Sequence, residues 1–341
     1  MNGRVFLAIA AAVLFVGGLI LMIGLTPAVA QSPTEPELTT EPVTVATTLP
    51  TELPTEATTE APTEPPTDPP TEPAETTPPE ELGLTASKAF AYDTGEDRMK
   101  YVGGDEHEKV APASLTKLLT AYVALQYLQP EDVITAGDEV TWIDPNSSIA
   151  YIQPGHQLTA KMLLQGMLMQ SGNDAAYTLA VGAGRMIAGV EDLDRKQAVG
   201  VFVDEMNRQA RLLGMENSHF KNPDGIDEDG HYTTVRDLLT LSLAVLEQDE
   251  IMEFASMAKD DVEFYSGETC TWYNSNYLLQ QESEFYTPEA MGLKTGSTEK
   301  AGKCLISLFK KADGYLIVGV LGSVEDEDRY KDTLLLYQEY K

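Results

Sequence analysis

Cysteine is scarce in this sequence, and the two cysteines present, Cys270 and Cys304, have no histidine cluster beside them. This count excludes a small fold held together by several disulfides, and the spacing does not match a zinc site. Two alternatives remain open for the pair. The cysteines form one disulfide in an oxidising compartment, or they stay as free thiols buried in strands.

Histidine is scarce as well, with four residues scattered along the chain. None forms a His-x-x-x-His pair or lies beside paired carboxylates, which disfavours a zinc peptidase. The acidic segment PDGIDEDG at 223–230 lacks the full pattern of a calcium loop, so we interpret it as ordinary turn chemistry. We therefore expect neither a metal nor another cofactor. The histidines are His107, His156, His219 and His231.

Basic residues are few relative to acidic ones: 23 Lys and Arg stand against 54 Asp and Glu, which gives a net charge of −31. Phosphate recognition needs clustered Lys and Arg, and the sequence has no such cluster. This balance argues against nucleic acid as a partner. It predicts instead a solvated surface that repels other acidic molecules.

The N-terminal segment, residues 1–30, has no charged residue after Arg4 and is hydrophobic. A helix of about 20 apolar residues spans a bilayer. The small residues AVA at 28–30 suit cleavage of a secretory signal, whereas the length of the apolar run favours an uncleaved anchor with Arg4 on the cytoplasmic side. Either alternative predicts that the rest of the chain is exported.

Residues 31–82 consist almost entirely of Thr, Glu, Pro and Ala, with twelve acidic residues and no basic or aromatic residue. Such a segment cannot bury enough apolar surface to offset its chain entropy, and its prolines favour an extended spacer. We predict a disordered stalk here. The folded part is then residues 83–341, which is long enough to bury a substantial core.

Hydrophobic periodicity predicts an α+β domain in this folded part. KAFAYDTGEDRMKYVGG at 88–104 alternates with period two and reads as a hairpin, and strand character returns in three segments near the C-terminus. Helical periodicity lies between them and again at the chain end. Strands at both ends imply one antiparallel sheet with helices on its faces. We predict helices at 111–129, 159–169, 174–187, 198–213, 234–247 and 327–340, and late strands at 291–298, 301–311 and 314–323.

Ser114 and Lys117 form the first candidate catalytic pair. Residues three apart share a helix face, and Pro112 suits the start of a helix. A serine there lies near free backbone N–H groups, and a lysine one turn later, among apolar residues, has a lowered pKa and can act as a base. Ser-x-x-Lys also begins at four other serines, so this pattern alone is weak. The others are Ser218, Ser256, Ser297 and Ser307, which we interpret as structural.

Two further segments support the first. MLMQSGNDAAYTLA at 167–180 presents Ser171 and Asn173 in a short loop between helical segments. MGLKTGSTEKAG at 291–302 places Lys294, Thr295 and Gly296 on a strand edge, where the lysine supplies positive charge and the glycine leaves room for a substrate. The three motifs follow the order used by active-site-serine enzymes that recognise penicillin.

These motifs resemble those of the D-alanyl-D-alanine carboxypeptidases, the low-molecular-weight penicillin-binding proteins. The likeness extends through blocks such as PASLTKLLTA, HYTTVRDL and GLKTGSTEKAGKCLI and covers most of residues 86–324. It implies a β-lactamase/transpeptidase-like fold, with an antiparallel sheet built from N- and C-terminal segments, helices on both faces and a helical subregion. It also implies a cell-wall enzyme, either anchored in the cell membrane or secreted into the wall.

The resemblance implies a chemical role for four residues. Ser114 would attack the carbonyl between the two terminal D-alanines of a peptidoglycan stem pentapeptide and form an acyl-enzyme, with Lys117 taking its proton. Ser171 and Lys294 would relay a proton to the departing D-alanine. Water would then hydrolyse the acyl-enzyme, whereas β-lactams would remain attached to Ser114 as covalent inhibitors.

Substrate binding is implied for the remaining matched residues. Asn173 would hold the substrate amide, and Thr295 with Lys294 would bind the terminal carboxylate. Gly296 would leave room for the substrate along the strand. The backbone N–H groups of Ser114 and Ser297 would form the oxyanion hole.

Two other functions share some of these features. A serine β-lactamase uses the same serine, lysine and Lys-Thr-Gly motif. Class A enzymes, however, add a glutamate that positions the deacylating water, and their second motif usually reads Ser-Asp-Asn, whereas the middle residue in this chain is Gly172. A stalked, non-hydrolytic module that binds peptidoglycan or senses β-lactams would not need both a nucleophile and its base. The combined motifs therefore favour the carboxypeptidase.

Overall fold

Segments from the two ends of the described chain meet in one five-stranded sheet of the computed structural model, which describes residues 82–341. The predicted N-terminal segment at 1–30 and the predicted stalk at 31–82, apart from its last residue, lie outside the described residues. Within residues 82–341, no helix has the length and apolar character needed to cross a membrane.

The large sheet has the strand order β2-β1-β9-β8-β7, and all its neighbouring strands are antiparallel. The first strand of residues 82–341 thus pairs with the last, which confirms the predicted sheet. Two small two-stranded sheets, β3-β4 and β5-β6, accompany it. The strands are β1 (Lys88–Asp93), β2 (Arg98–Gly103), β3 (Val133–Thr135), β4 (Gln157–Thr159), β5 (Lys259–Glu263), β6 (Thr269–Tyr273), β7 (Ala290–Thr298), β8 (Gly302–Lys311) and β9 (Gly314–Ser323).

Helices cover both faces of this sheet. Successive residues of β8 point to opposite faces, so Leu305 joins the apolar cluster formed with the C-terminal helix, and Ile306 joins the larger cluster formed with the other helices. The predicted arrangement of helices on both faces is confirmed. The helices are α1 (Thr116–Ala124), α2 (Ala160–Met169), α3 (Asn173–Ala188), α4 (Arg195–Leu212), α5 (Val235–Leu246), α6 (Asp249–Ser256) and α7 (Asp328–Tyr340).

The first helix is shorter than the sequence predicts. It is preceded by a 3-10 turn at Ala113–Leu115, and it ends at Ala124 instead of continuing to Pro130. Beyond Ala124 the chain tightens, because the backbone N–H groups of Gln126 and Tyr127 bond three residues back. The apolar periodicity of the sequence continues through this turn, so the periodicity does not show where the helix ends.

The sequence also missed α6 and the β5-β6 hairpin. The helix has only eight residues, which is short for a periodicity argument. Each strand of the hairpin has five residues and only one fully buried side chain, Val262 in β5 and Trp272 in β6. With so little buried apolar surface, the hairpin resembles a polar loop in sequence.

The two cysteines lie in strands as free thiols. Cys270 is half-buried in β6, and Cys304 is buried in β8. The structure therefore agrees with the second alternative, in which both cysteines are free thiols. Burial raises the pKa of the Cys304 thiol to about 11, which makes it a poor nucleophile at neutral pH.

Candidate active site

The 3-10 turn before α1 presents Ser114 beside Lys117. Pro112 caps this turn without a side-chain hydrogen bond, as its position before a helix favours. The Nζ atom of Lys117 lies 2.9 Å from Ser114 Oγ and donates a second hydrogen bond of 2.6 Å to the backbone carbonyl of Asp224. Both contacts hold the amine at the serine hydroxyl, as the first motif predicts.

Lys117 is fully buried. Burial lowers the pKa of its amine to about 8, although the negative charges of Asp224 and Asp174 act in the opposite direction. A buried ammonium loses its hydration, so its neutral form becomes accessible near physiological pH. The amine can then accept the proton of Ser114, which a solvated lysine at this pH does not do efficiently.

The Ser-Gly-Asn motif forms the connection between α2 and α3. Ser171 is buried and has a positive φ of 58°, and Asn173 is the first residue of α3. The Asn173 side chain donates a 2.8 Å hydrogen bond to Ser147 Oγ. The predicted short loop between two helices is thus confirmed, and the hydrogen bond to Ser147 orients the Asn173 side chain.

Asp174 fixes this connection to the neighbouring loop. Its carboxylate accepts hydrogen bonds from the backbone N–H groups of Ala150, at 2.8 and 3.0 Å, and of Ile152, at 2.9 Å. Burial raises the pKa of this carboxyl, and the backbone N–H groups oppose that effect. Sequence reasoning missed Asp174, although an acid directly after a candidate binding motif, in an otherwise apolar helix, was a usable signal.

Lys294, Thr295 and Gly296 lie on β7, the edge strand of the large sheet. Lys294 Nζ donates to the backbone carbonyl of Thr295 at 3.2 Å, and Thr295 Oγ1 lies 2.7 Å from Ser275 Oγ. A Cβ added to Gly296 would lie 3.3 Å from the backbone nitrogen of Ser114. Glycine therefore allows the edge strand to approach the serine closely, whereas the room for a substrate that the sequence suggests at Gly296 stays a prediction.

The two motif lysines influence each other. Lys294 is buried, and burial together with the positive charges of Lys117 and Arg329 holds its pKa well below its ordinary value. Two ammonium groups in one desolvated site repel each other, so one excess proton is held more easily than two. Protonation of one lysine therefore disfavours protonation of the other.

Arg329 is a residue of the site that sequence reasoning missed. From α7 its Nη1 atom donates to the Gly296 carbonyl at 3.2 Å and to Ser297 Oγ at 3.1 Å, and its Nη2 atom pairs with Asp326 at 2.6 Å. It thus fixes the C-terminal part of β7, at Gly296 and Ser297, to α7. A single arginine in a terminal helix carries no motif, so nothing in the sequence identified it.

The acidic loop at 223–230 borders the site. A Cβ on Gly225 would lie only 1.9 Å from the carbonyl oxygen of Ala113, so the loop contacts the serine turn directly. Asp227 accepts hydrogen bonds from Thr298 Oγ1 at 2.8 Å and from the Lys300 N–H at 2.9 Å. The loop consequently joins the end of β7 to the helical side. No group of ligating side chains in residues 82–341 is arranged to hold a metal ion.

A cleft of about 580 Å³ opens over these residues. It brings together Ser114, Asn173 and Ser297 from the three motifs, while Lys117, Ser171, Lys294 and Thr295 are buried. Two of the other Ser-x-x-Lys serines have structural settings: the hydroxyl of Ser256 bonds to the Met252 carbonyl in α6 at 2.7 Å, and that of Ser218 bonds to the Asp237 carboxylate at 2.6 Å. The cleft is lined by Ser114, Asp144, Asn146, Ser147, Ser148, Asn173, Asp224, Gly225, Ile226, Asp227, Ser297, Thr298 and Glu299.

Comparison with known proteins gives one consistent family. The peptidase S11 family model, described as D-alanyl-D-alanine carboxypeptidase, matches residues 74–325. D-alanyl-D-alanine carboxypeptidase DacF of Bacillus subtilis (strain 168) is 30% identical over 253 residues, which are 73% of this chain and 60% of that protein. DacC of Escherichia coli (strain K12) is 32% identical over 240 residues, 67% of this chain and 55% of that protein. The chain thus spans less than two thirds of these relatives.

Solved structures show the same likeness. The Streptomyces K15 DD-transpeptidase matches with a TM-score of 0.67 and 27% identity, covering 75% of this chain and 96% of that one. Penicillin-binding protein D2 from Listeria monocytogenes, in its ampicillin-bound form, matches with a TM-score of 0.61 and 28% identity, covering 75% and 98%. The fold expected from the resemblance is confirmed.

Proposed function

Because the chain belongs to the D-alanyl-D-alanine carboxypeptidase family, we propose that it is a serine peptidase that removes the terminal D-alanine from peptidoglycan stem pentapeptides. The observation that carries this proposal is the 2.9 Å contact between Lys117 Nζ and Ser114 Oγ, with the lysine fully buried. A nucleophile joined to a base of lowered pKa, at the floor of a cleft, is suited to acyl transfer. The activity contributes to peptidoglycan biosynthesis and cell-wall organisation.

In the first half-reaction, neutral Lys117 accepts the hydroxyl proton while Ser114 Oγ bonds to the carbonyl carbon of the penultimate D-alanine. The backbone N–H groups of Ser114 and Ser297 stabilise the oxyanion, and their proximity follows from the close approach of β7 at Gly296. The peptide C–N bond then breaks. The leaving amine takes a proton through Ser171 and Lys294, which leaves D-alanine and an ester on Ser114.

In the second half-reaction, water attacks the ester carbonyl and gives a proton to the Lys294 amine that lost one, the bond to Ser114 Oγ breaks, and protonated Lys117 returns a proton to the serine. Thr295 and Lys294 bind the terminal carboxylate, and Asn173 holds the substrate amide. A β-lactam would acylate Ser114 through its own strained amide. Its tethered leaving group would hinder the attack of water, so it would act as a covalent inhibitor.

We assign the site of action to the outside of the cell membrane. Support comes from the hydrophobic N-terminal segment, which has no charged residue after Arg4, and from the Thr/Glu/Pro-rich stalk, which together suit an enzyme held at, or released into, the cell wall. An uncleaved segment would anchor the protein, and cleavage after residue 30 would release it. N-terminal sequencing of the mature protein separates the two outcomes.

The test of the activity is the release of D-alanine from a stem pentapeptide ending in D-Ala-D-Ala. The native chain and Ser114→Ala are compared at equal concentration. Release by the native protein and none by Ser114→Ala is the expected result. If a folded native protein releases no D-alanine, the hydrolytic function is wrong. The chain would then be the non-hydrolytic module that binds peptidoglycan or senses β-lactams.

A further inference from the structure

Asp332, in α7, holds the segment through which the predicted stalk enters the folded domain. Its carboxylate accepts hydrogen bonds from the backbone N–H of Thr85, at 3.1 Å to each oxygen, and from Thr85 Oγ1 and the Ala86 N–H, each at 2.8 Å. Ser323 Oγ, at the end of β9, lies 3.3 Å from the same carboxylate. Hydrogen bonds to a charged acceptor are stronger than neutral ones. Residues 84–86, which we call the junction, are therefore fixed to α7.

Apolar packing joins the junction to the same helix. Leu84 and Ala86 are buried in the apolar cluster that also contains Leu336 and Tyr337 of α7. Asp332 lies at the edge of this packing and is 3% exposed, so its hydrogen bonds are shielded from water. The junction and α7 thus move together.

Arg329 lies three residues before Asp332 in α7. Residues three apart share one face of a helix, and both side chains are buried. Arg329 Nη1 donates a hydrogen bond of 3.2 Å to the Gly296 carbonyl in β7. One turn of α7 therefore connects the junction to β7.

The group that Arg329 holds is one peptide unit of the proposed oxyanion hole. The carbonyl of Gly296 and the N–H of Ser297 belong to the same planar, trans unit and point in opposite directions. A donor that fixes this carbonyl therefore fixes the direction of the N–H. Within residues 82–341, β7 is an edge strand that pairs with β8 alone, so no second strand holds this peptide unit from the cleft side.

We propose that Asp332 is a positioning residue for catalysis, which couples the junction to the oxyanion hole through Arg329. While the junction is fixed, α7 keeps Arg329 on the Gly296 carbonyl, and the Ser297 N–H stays directed at the oxyanion. When the junction is released, α7 shifts and this donor loses its alignment. The inference rests on the proposed function, because that function assigns the oxyanion to the Ser297 N–H.

The test uses the full chain with the substitution Asp332→Asn. The amide keeps one acceptor oxygen but turns an NH2 group toward the backbone donors of the junction, which releases them. We expect the rate of acylation by a fluorescent penicillin and kcat for D-alanine release to fall by about 5- to 20-fold, less than the roughly 10²- to 10³-fold loss from removing an oxyanion donor outright. KM should change by less than about 2-fold, because the oxyanion forms only in the transition state.

Each rate is divided by the number of sites that the penicillin labels at completion. A merely structural role would lower the number of labelled sites and leave the rate per site unchanged. The control Glu339→Gln, on an exposed acid of the same helix, should keep the native rate per site. If Asp332→Asn does not fold, Thr85→Val provides a milder variant. It removes one hydroxyl donor at nearly constant shape and should lower the rate per site by about 2- to 3-fold.

Arg329→Met tests the route of the coupling. If Asp332 acts through Arg329, then Asp332→Asn should cause almost no further loss in the Arg329→Met background, because the effects of residues in one network do not add. Equal fold losses in the two backgrounds would show that Asp332 acts independently and would overturn the inference. A native rate per site in Asp332→Asn, or in Thr85→Val where the former does not fold, would overturn it as well.

Failure of the proposed function has a different signature. A native protein that is acylated but releases no D-alanine would remove the carboxypeptidase activity, while the acylation rates would still decide the role of Asp332. A folded native protein that neither labels nor releases D-alanine would remove the proposed function and this inference with it.

Discussion

Burial lowers the pKa of Lys294, and the charge of Lys117, whose amine is buried as well, lowers it further. The protonation of the lysine in the first motif is therefore coupled to that of the lysine in the third. When Lys117 accepts the proton of Ser114 it becomes positive, and the repulsion makes Lys294 a better donor. Under the proposed function, this repulsion favours the transfer of a proton from Lys294 toward the leaving group once acylation begins.

Replacing Lys117 with arginine removes the base while keeping a cation. A guanidinium stays protonated at all working pH values, so it cannot accept the serine proton. We expect the rate of acylation by a fluorescent penicillin to fall by about 10²- to 10⁴-fold. The matched variant Lys161→Arg, on an exposed lysine that pairs with Glu253 at 3.2 Å, should label at the native rate. Native-rate labelling of Lys117→Arg would show that another group is the base.

The pH dependence of acylation reports the state of Lys117. Its neutral form is the active one, and its pKa is about 8, so the rate should rise as pH increases through that value. The negative charge of Asp224 raises the pKa of Lys117. Asp224→Asn removes this charge, retains the backbone carbonyl that accepts from Lys117, and should move the midpoint to lower pH. An unchanged or higher midpoint in stopped-flow acylation would contradict this electrostatic link.

Gly296→Ala tests the close approach of β7 to the serine turn. The added methyl carbon would lie 3.1 Å from Ala113 Cβ and 3.3 Å from the Ser114 nitrogen, so the strand or the turn must shift. We expect kcat/KM for D-alanine release to fall by roughly 10- to 100-fold, because small displacements of reacting groups are costly. Gly200→Ala in α4 meets no atom within 4 Å. It should keep full activity and gain about 0.5–1 kcal/mol of stability.

Asp174→Asn tests the brace between α3 and the loop at 147–152. An amide offers one acceptor oxygen, whereas the carboxylate accepts from Ala150 and Ile152 with both of its oxygens. The amide NH2 group would face backbone donors, so we expect a loss of about 2–3 kcal/mol in the free energy of unfolding. Urea titration measures this loss. Asp204→Asn, on the exposed side of α4, should change stability by less than about 0.5 kcal/mol.

The sequence was sufficient to predict the main strands and helices, because hydrophobic periodicity is strongest where one face of an element is buried. The period-two hairpin, the long helices and the late apolar strands all appear where they were predicted. The end of α1 was misplaced, because apolar periodicity continues into the turn at Gln126 and Tyr127. The β5-β6 hairpin was missed, because Val262 and Trp272 are its only fully buried side chains.

The candidate site was predictable only as far as its motifs reach. Ser114, Asn173 and Lys294 stand in short, recognisable patterns, and the fold brings these patterns around one cleft. Arg329 and Asp174 support the motifs from behind, and their roles depend on tertiary contacts that no local pattern encodes. The four acidic residues that line the cleft come from three separate loops, so no local sequence pattern shows that they lie together.

The most direct test of the account is to locate the covalent adduct formed by benzylpenicillin. The full chain is incubated with the drug, digested, and analysed by tandem mass spectrometry. The account predicts one acylated residue, Ser114, and no adduct in Ser114→Ala. An adduct on a different serine, such as Ser171 or Ser297, or a fully folded native chain that carries none, would contradict the central claim.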